Sequence, residues 1–453
     1  MIDLPHSDEP RRKALRDQVR EGACSAVMQG AGETYLSAFA LLLHATPFQI
    51  GLLSALPPVV GTWSQLLSVK LLDRLRVRKP LIIAGAAGQA AAWLPLLLLP
   101  ALFPSYGSWL VLAGAVIYFA TGHLTVPAWN SLITEMVDAD RRGSYFAARA
   151  RVIAVTSFLA LAMGGLVLHF AEAWKNPVWG FAIVFLSAAV ARLGSALYLA
   201  RLQELPVEAR RCDRGLRDFL TSRRSVMFRR FLIFSGAFHV AAMMAGPFFV
   251  VYLLRDLQFT YLQYSAWLVA PILGQFITLR RWGHIADTFG NKRVLAVTGL
   301  MIPLLPMLYL GTTNWMVLVG VNLLSGVIWP GFSLSLGNYV FDVVQPAERA
   351  KGVAVYHTVN AAGAALGAML GSGLATIVPS HIILAGFTLG LASNLPVVFF
   401  LSGASRLLVA LTLLGTFRER RRVVAISPRA FMAELPLIKP LTVAIGMRAG
   451  RAR

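Results

Sequence analysis

Glu33 lies near the centre of an apolar run, within Gly30-Ala31-Gly32-Glu33-Thr34-Tyr35. A carboxyl group in such surroundings can bind and release a proton, meet a cationic substrate, or lock structurally to an arginine or hydroxyl. The small residues around it would let backbone line a cavity, which favours the coupling role. Arg192 and Arg406 also interrupt apolar runs. Guanidinium suits anions, but snorkelling or helix pairing is the stronger expectation for two arginines at matched positions. His123, His239 and His357 titrate in the range useful for a proton relay; a hydrogen-bonded packing role is favoured for each. Cys24 and Cys212 form neither a disulfide framework nor a metal set and read as structural thiols. No nucleophile–base constellation and no phosphate-binding G-x-x-x-x-G-K-[ST] loop occurs, so neither an enzyme nor an ATP-driven pump is expected, and no cofactor or metal. An enzyme acting on lipid would need clustered His, Asp or Glu, and these residues are scattered singles.

The elements that must carry these groups are set by composition. Of 453 residues, 57% are apolar and 14% charged, against roughly 45–50% and 25% in soluble proteins. The natural solvent for such a chain is lipid. A formal charge of +21 would suit a nucleic-acid binder, but the basic residues form short clusters between long uncharged stretches, not a stripe on one domain. No nucleic-acid partner is expected. Residues 1–20 are polar and charged without an apolar core, so a cleaved signal peptide is not expected.

A spanning helix needs about 20 apolar residues. The uncharged run from Pro80 to Thr134 holds two, joined at Pro104-Ser105-Tyr106-Gly107-Ser108. The run Val294–Phe341 divides at Gly311-Thr312-Thr313-Asn314, and Gly352–Ser405 at Pro379-Ser380-His381. The pattern predicts helices over 22–45, 48–70, 80–102, 109–134, 148–170 and 178–201, then 231–254, 261–281, 293–311, 315–340, 353–378 and 388–415. The fold class is therefore an all-α polytopic membrane protein with about twelve transmembrane helices in two pseudo-symmetric six-helix bundles. The expected divisions are a cytoplasmic segment 1–21, a first bundle 22–202, a basic linker 203–230, a second bundle 231–416 and a basic tail 417–453. Basic clusters fall on one side of the predicted membrane, including Arg11–Arg20, Lys70–Lys79, Arg141–Arg151, the linker and the tail. The other side holds only Lys175 and Arg255. The positive-inside rule then puts both termini in the cytoplasm, in a cell inner (plasma) membrane with anionic lipids; the basic linker reads equally as a surface helix on those lipids or as a solvated connection.

The two halves repeat. Asp73-Arg74-Leu75-Arg76-Val77-Arg78-Lys79 matches Asp287-Thr288-Phe289-Gly290-Asn291-Lys292-Arg293 at an offset of 214 residues (287 − 73). Arg192 matches Arg406, and Thr46 matches Thr260, at the same offset. The second copy, Gly283-x-x-x-Asp287-x-x-Gly290-x-Lys292-Arg293, resembles the signature G-x-x-x-D-x-x-G-x-[RK]-[RK] of the major facilitator superfamily. The first copy keeps Asp73, Arg74, Arg78 and Lys79 but has Val69 and Arg76 in place of the glycines. Gly290 permits a turn with positive φ, Gly283 a close helix approach, and Asp287 a contact with a cation or helix N-terminus. Such a contact would form in one state and break in another, which reads as a gate. Gly363, Gly367 and Gly371, every fourth residue, read as a close-packing seam.

The resemblance implies a secondary transporter working by alternating access, with a cavity lined by the first, fourth, seventh and tenth helices. Tyr35, Asn130, Asn322 and Trp329 are the residues this favours as substrate contacts. Trp63, Gln65, Trp129, Gln275, His357 and Asn360 are further candidates. Drug–proton antiporters of the superfamily usually carry an arginine in the fourth helix, four residues before a glycine. Counted back from Gly122, that place holds Tyr118, and Met163-Gly164-Gly165 lacks the proline of the antiporter motif. The expected function is efflux of an amphiphilic small molecule by a monomer. The alternatives are proton-coupled import of a small solute, or a non-transporting receptor or assembly factor on the same fold.

Overall fold

The computed structural model describes residues 9–75, 77–137, 142–202, 225–345, 348–378, 381–384, 387–390, 393–420, 423 and 434–436. Outside them lie most of the basic linker, most of the tail, Arg76, Asp140 and Arg141. The side chain of Asp73 also lies outside the described set. Eleven helices among the described residues are long and apolar enough to cross a membrane. The first segment supplies the twelfth crossing in broken form. It runs as α1 (Glu9–Val27), a π-turn (Met28–Gly32), a 3-10 turn (Glu33–Tyr35) and a short helix (Leu36–Leu42). The others are α2 (Pro47–Leu75), α3 (Lys79–Ala91, continued by Trp93–Leu102), α4 (Gly107–Met136), α5 (Arg142–Ala173) and α6 (Pro177–Ala200). There follow α7 (Val226–Met243), α8 (Tyr261–Phe289), α9 (Asn291–Met301), α10 (Trp315–Val343), α11 (Arg349–Ile377) and α12 (Leu395–Leu413).

One expectation about these elements needs correction, and one helix reaches beyond its apolar run: α1 begins at Glu9, within the polar segment 1–21. The last helix was expected from 388, but His381–Leu384 and Phe387–Gly390 pair as antiparallel strands and α12 starts at Leu395. Pro396 explains the start. A proline lacks the N–H that a first helical turn leaves unused, and it cannot sit within a continuing helix without breaking it. Expected turns at residues 104–108 and 311–314 are present. The Asn314 side chain caps α10 by accepting from Met316 N and Val317 N.

The chain divides into two compact units, Met1–Arg211 with Pro247–Ser265, and Cys212–Gly246 with Ala266–Arg453. Within the first, α1 packs on α5 and α6, and α3 on α4. Within the second, the equivalent pairs recur: α7 packs on α11 and α12, and α9 on α10. The repeat extends to atoms. Thr46 N donates to Gln49 Oε1 at 2.9 Å while Gln49 N donates to Thr46 Oγ1 at 3.3 Å. Thr260 and Gln263 form the same reciprocal cap at 3.0 and 3.3 Å.

Large apolar side chains such as Phe276 (84% exposed) and Ile377 (79%) face outward, as a lipid-facing surface requires. The interior of the second unit is aromatic, built on Phe228, Phe231, Phe234, Phe238, Phe332 and Tyr339. The glycine seam of α11 behaves as expected: a Cβ on Gly363 would lie 2.7 Å from Gly236 O, and on Gly367 2.2 Å from Val240 O. Gly283 does not make the expected close approach, since a Cβ there would meet only Leu334 Cδ2 at 3.9 Å.

Candidate functional site

Glu33 is placed by the break after α1. Gly30 and Gly32 are weak helix formers, and both are packed too tightly for a side chain. A Cβ would lie 2.3 Å from Ser157 O at Gly30 and 2.5 Å from Trp93 Cη2 at Gly32. The chain passes from π to 3-10 geometry between them and Tyr35. π-turns of this kind often mark functional positions. This break turns the Glu33 carboxylate toward α4, where Tyr118 donates to it at 2.8 Å. Gln89 of α3 also bonds the Tyr118 side chain. Gly122, one turn along α4, leaves the room that Gln89 occupies; a Cβ there would lie 2.3 Å from Gln89 Nε2.

Glu33 and Tyr118 line a cavity of about 340 Å³ inside the first unit, together with Glu21, Gln29, Gln89, His123, Trp129, Asn130, Arg149 and Arg192. Glu21 is the centre of a buried ionic group. Its Oε2 lies 2.8 Å from Arg149 Nη2 and its Oε1 3.6 Å from Arg192 Nη1. Ser195 Oγ donates to Glu21 Oε1 at 3.0 Å and accepts from Arg192 Nη1 at 2.7 Å. The Arg149 guanidinium also stacks over Trp129, 4.4 Å from the ring centroid, and Trp129 Nε1 donates to Gln18 Oε1 at 2.8 Å. His123 Nδ1 is bonded to Gln65 Nε2 at 2.9 Å.

A second cavity, about 320 Å³, lies inside the second unit. Trp267, Leu268, Pro271, Trp329 and Pro330 supply its apolar wall, and Gln275, Asn322 and Ser325 its polar groups. Asn322 Nδ2 is held by Trp267 O at 2.7 Å.

Three expected substrate residues therefore line cavities: Asn130 in the first unit, Asn322 and Trp329 in the second. Tyr35 lines neither of these cavities. Fully buried, its hydroxyl bonds Leu161 O at 2.8 Å and Ser265 Oγ at 3.0 Å, a packing contact within the first unit. Trp63 is 67% exposed, in the manner of a lipid-facing residue. The two matched arginines are buried rather than snorkelling. Arg192 joins α6 to α1 through Glu21, and Arg406 Nη2 donates to Ala242 O of α7 at 3.0 Å. Glu21 and Arg149 were missed as site residues because each falls next to a basic cluster that reads as a membrane edge. An acidic residue amid Arg16, Arg20 and Gly22, with an arginine at the second residue of the predicted fifth span (148–170), was the available signal.

The signature residues of the second half meet the segment after α12. Gly290 has φ +92, as expected of the turn. Glu419 Oε2 accepts from Lys292 N at 2.9 Å, Lys292 Nζ donates to Leu414 O, and its ammonium lies 4.2 Å from the Phe417 ring centroid. Asn291 Nδ2 donates to Asp342 Oδ2 at 2.7 Å. In the first half, Arg78 is buried and Lys79 opens α3. No group of His, Cys, Asp and Glu able to hold a metal ion occurs among the described residues.

Eleven spanning helices and a broken first segment in two repeated sets, with cavities inside an apolar exterior, make a polytopic helical membrane fold. The family model of the Major Facilitator Superfamily matches residues 22–244 and 231–448, and the chain belongs to that superfamily. Among solved structures, it is similar to the nucleoside transporter NupG (TM-score 0.67, 14% identity, covering 89% of this chain and 99% of that one). It is also similar to a D-xylose-proton symporter (0.65, 13%, 91% and 99%). A bacterial homologue of the iron transporter ferroportin in an inward-facing state scores 0.64 at 13% identity, covering 89% and 98%. At these identities the likeness is one of fold. A search of curated proteins finds no match.

Proposed function

We propose that this protein is a secondary active transporter that moves a small, charge-bearing molecule across the inner (plasma) membrane by alternating access. Glu33 is the group that takes up a proton or the cationic part of the cargo. The observation that carries this reading is a carboxylate lining a cavity within a membrane-crossing segment, bonded by the neutral Tyr118 hydroxyl and, among the described residues, by no arginine of the kind a structural carboxylate would have. Glu21, twelve residues earlier in the same segment (33 − 21), has that second arrangement. The charge bias of the loops supports cytoplasmic termini, and the signature residues around Asp73 and Asp287 act as the gate. The working unit is a monomer in contact with anionic lipid. A counterflow screen on purified protein in liposomes, with and without a pH gradient, tests the reading. Solute movement that Glu33→Gln abolishes is expected. Unchanged movement and unchanged pH dependence in that variant would remove Glu33 from the mechanism, and a protein that moves nothing would fit a receptor instead.

Efflux of an amphiphilic compound is a second reading, favoured by the cavity of the second unit. Two tryptophans, a leucine and two prolines with few polar groups suit an apolar body. Drug accumulation in cells with and without the protein distinguishes outward from inward movement.

A further inference from the structure

Four charged side chains line the cavity of the first unit, Glu21, Glu33, Arg149 and Arg192. They sum to zero but are not paired one to one. Glu21 serves both arginines, leaving one positive charge in excess on that side. Glu33 serves no cation among the described residues, and its Oε2 is bonded to the neutral hydroxyl of Tyr118. Tyr118 lies in the field of both Glu33 and Arg192, so the two excesses face one space. Arg192 is 4% exposed, and its Nε has no hydrogen-bond partner among the described residues. A buried guanidinium with an unused donor beside a cavity is a group lacking its acceptor.

We propose that this cavity is a binding site for a zwitterionic small molecule of the α-amino acid class. Its ammonium sits on Glu33 and its carboxylate on the Arg149–Arg192 side. The inference deepens the transporter reading and rests on it for the fate of the bound molecule, though not for binding itself. A simple cation would neutralise Glu33 and leave the arginine excess uncompensated. A simple anion would do the reverse. For charges as buried as Glu21 and Arg192, a lack of compensation is strongly unfavourable, so a ligand carrying both signs is the complement. A cavity of about 340 Å³ falls at the small end of the roughly 300–1,000 Å³ usual for ligand sites. Met28, Phe119 and Val126 on its wall suit an apolar side chain.

The test uses full-length purified protein in detergent, with L-leucine and L-phenylalanine as probes and their N-acetyl and C-amide derivatives as charge-blocked controls. Binding is read by calorimetry and by the shift in unfolding temperature. At least one free amino acid binds, and either block weakens it tenfold or more. In Glu33→Gln the penalty for N-acetylation disappears while that for amidation stays. In Arg192→Gln the pattern reverses. Should Arg192→Gln fail to fold, the two blocked series on native protein and Glu33→Gln still decide. No binding by either amino acid, equal binding of blocked and free forms, or an unaltered N-acetyl penalty in Glu33→Gln overturns the proposal. Binding with this pattern but no passage into liposomes overturns the transporter reading alone. Glu33-dependent passage of a singly charged solute by a protein indifferent to amino acids overturns the zwitterion site alone.

Discussion

The Tyr118 hydroxyl donates to the Glu33 carboxylate across 2.8 Å and so ties α4 to the break that follows α1. A hydrogen bond to a charged acceptor contributes about 1.5–3 kcal/mol, which sets the scale of what Tyr118→Phe removes. Solute counterflow in Tyr118→Phe is expected to fall roughly tenfold or more. If the phenol acts only through Glu33, the double variant Glu33→Gln/Tyr118→Phe is no slower than Glu33→Gln alone. Losses that multiply would show that Tyr118 has a separate task.

Glu21 holds two arginines, one of them almost wholly buried. Removing one partner of a buried ion pair costs about 3–5 kcal/mol, because the remaining charge is stranded. Glu21→Gln is therefore expected to lower the unfolding temperature in detergent by several degrees. Glu21→Gln/Arg192→Gln recovers part of that loss, since one stranded cation is gone. A double variant less stable than Glu21→Gln would contradict the pairing.

Much of the fold was legible in the sequence because lipid imposes a simple code. Uncharged runs of spanning length, breaks at residues 104–108 and 311–314, and basic clusters on one side led to twelve crossings. The offset that matched Thr46 with Thr260 proved to be two copies of one helix cap. Glu33 was identified from residue type and place, and Asn130 from the helices that the family resemblance puts around the cavity; both line the first cavity. The Glu21–Arg149 pair was not, because the same code assigns charges beside a run to the water side. Helix α1 extends thirteen residues further back than the apolar run (22 − 9), which carries Glu21 inward. Long-range partners such as Tyr118 with Glu33, 85 residues apart, leave no local sequence pattern. The strand pair before α12 was missed for a related reason: apolar residues at 381–390 read equally as helix or strand, and only Pro396 marks where the helix begins.

Gly290 combines φ +92 with a tight neighbour, as a Cβ there would lie 2.4 Å from Glu419 Oε2. With ψ at 150 as well, this backbone region is essentially confined to glycine, so an alanine carries a cost of about 1–3 kcal/mol in addition to displacing Glu419 from the N-terminus of α9. Gly290→Ala is expected to lower the unfolding temperature more than Glu419→Ala does. Combining the two relieves the clash but keeps the backbone cost, so the double variant remains less stable than Glu419→Ala. Equal stability of those two would mean that the glycine is not required for its φ.

Asp287 sits in the last turn of α8, three residues before Gly290 and at the repeat offset from Asp73. A carboxylate at a helix C-terminus faces the negative end of the helix dipole, at a cost of about 0.3–1 kcal/mol. Its charge there is better suited to a switching contact than to stability of the helix that bears it. Asparagine keeps the shape and one acceptor oxygen, turns the other into an NH2 donor, and removes the charge. Asp287→Asn and Asp73→Asn are therefore expected to reach the membrane at normal levels, measured by fluorescence-detected size exclusion, while counterflow drops at least tenfold in each. Two variants with full transport would make these residues ordinary membrane-edge anchors. Two that fail to insert would make them folding determinants, and in both cases the gate would have to lie elsewhere in the repeat.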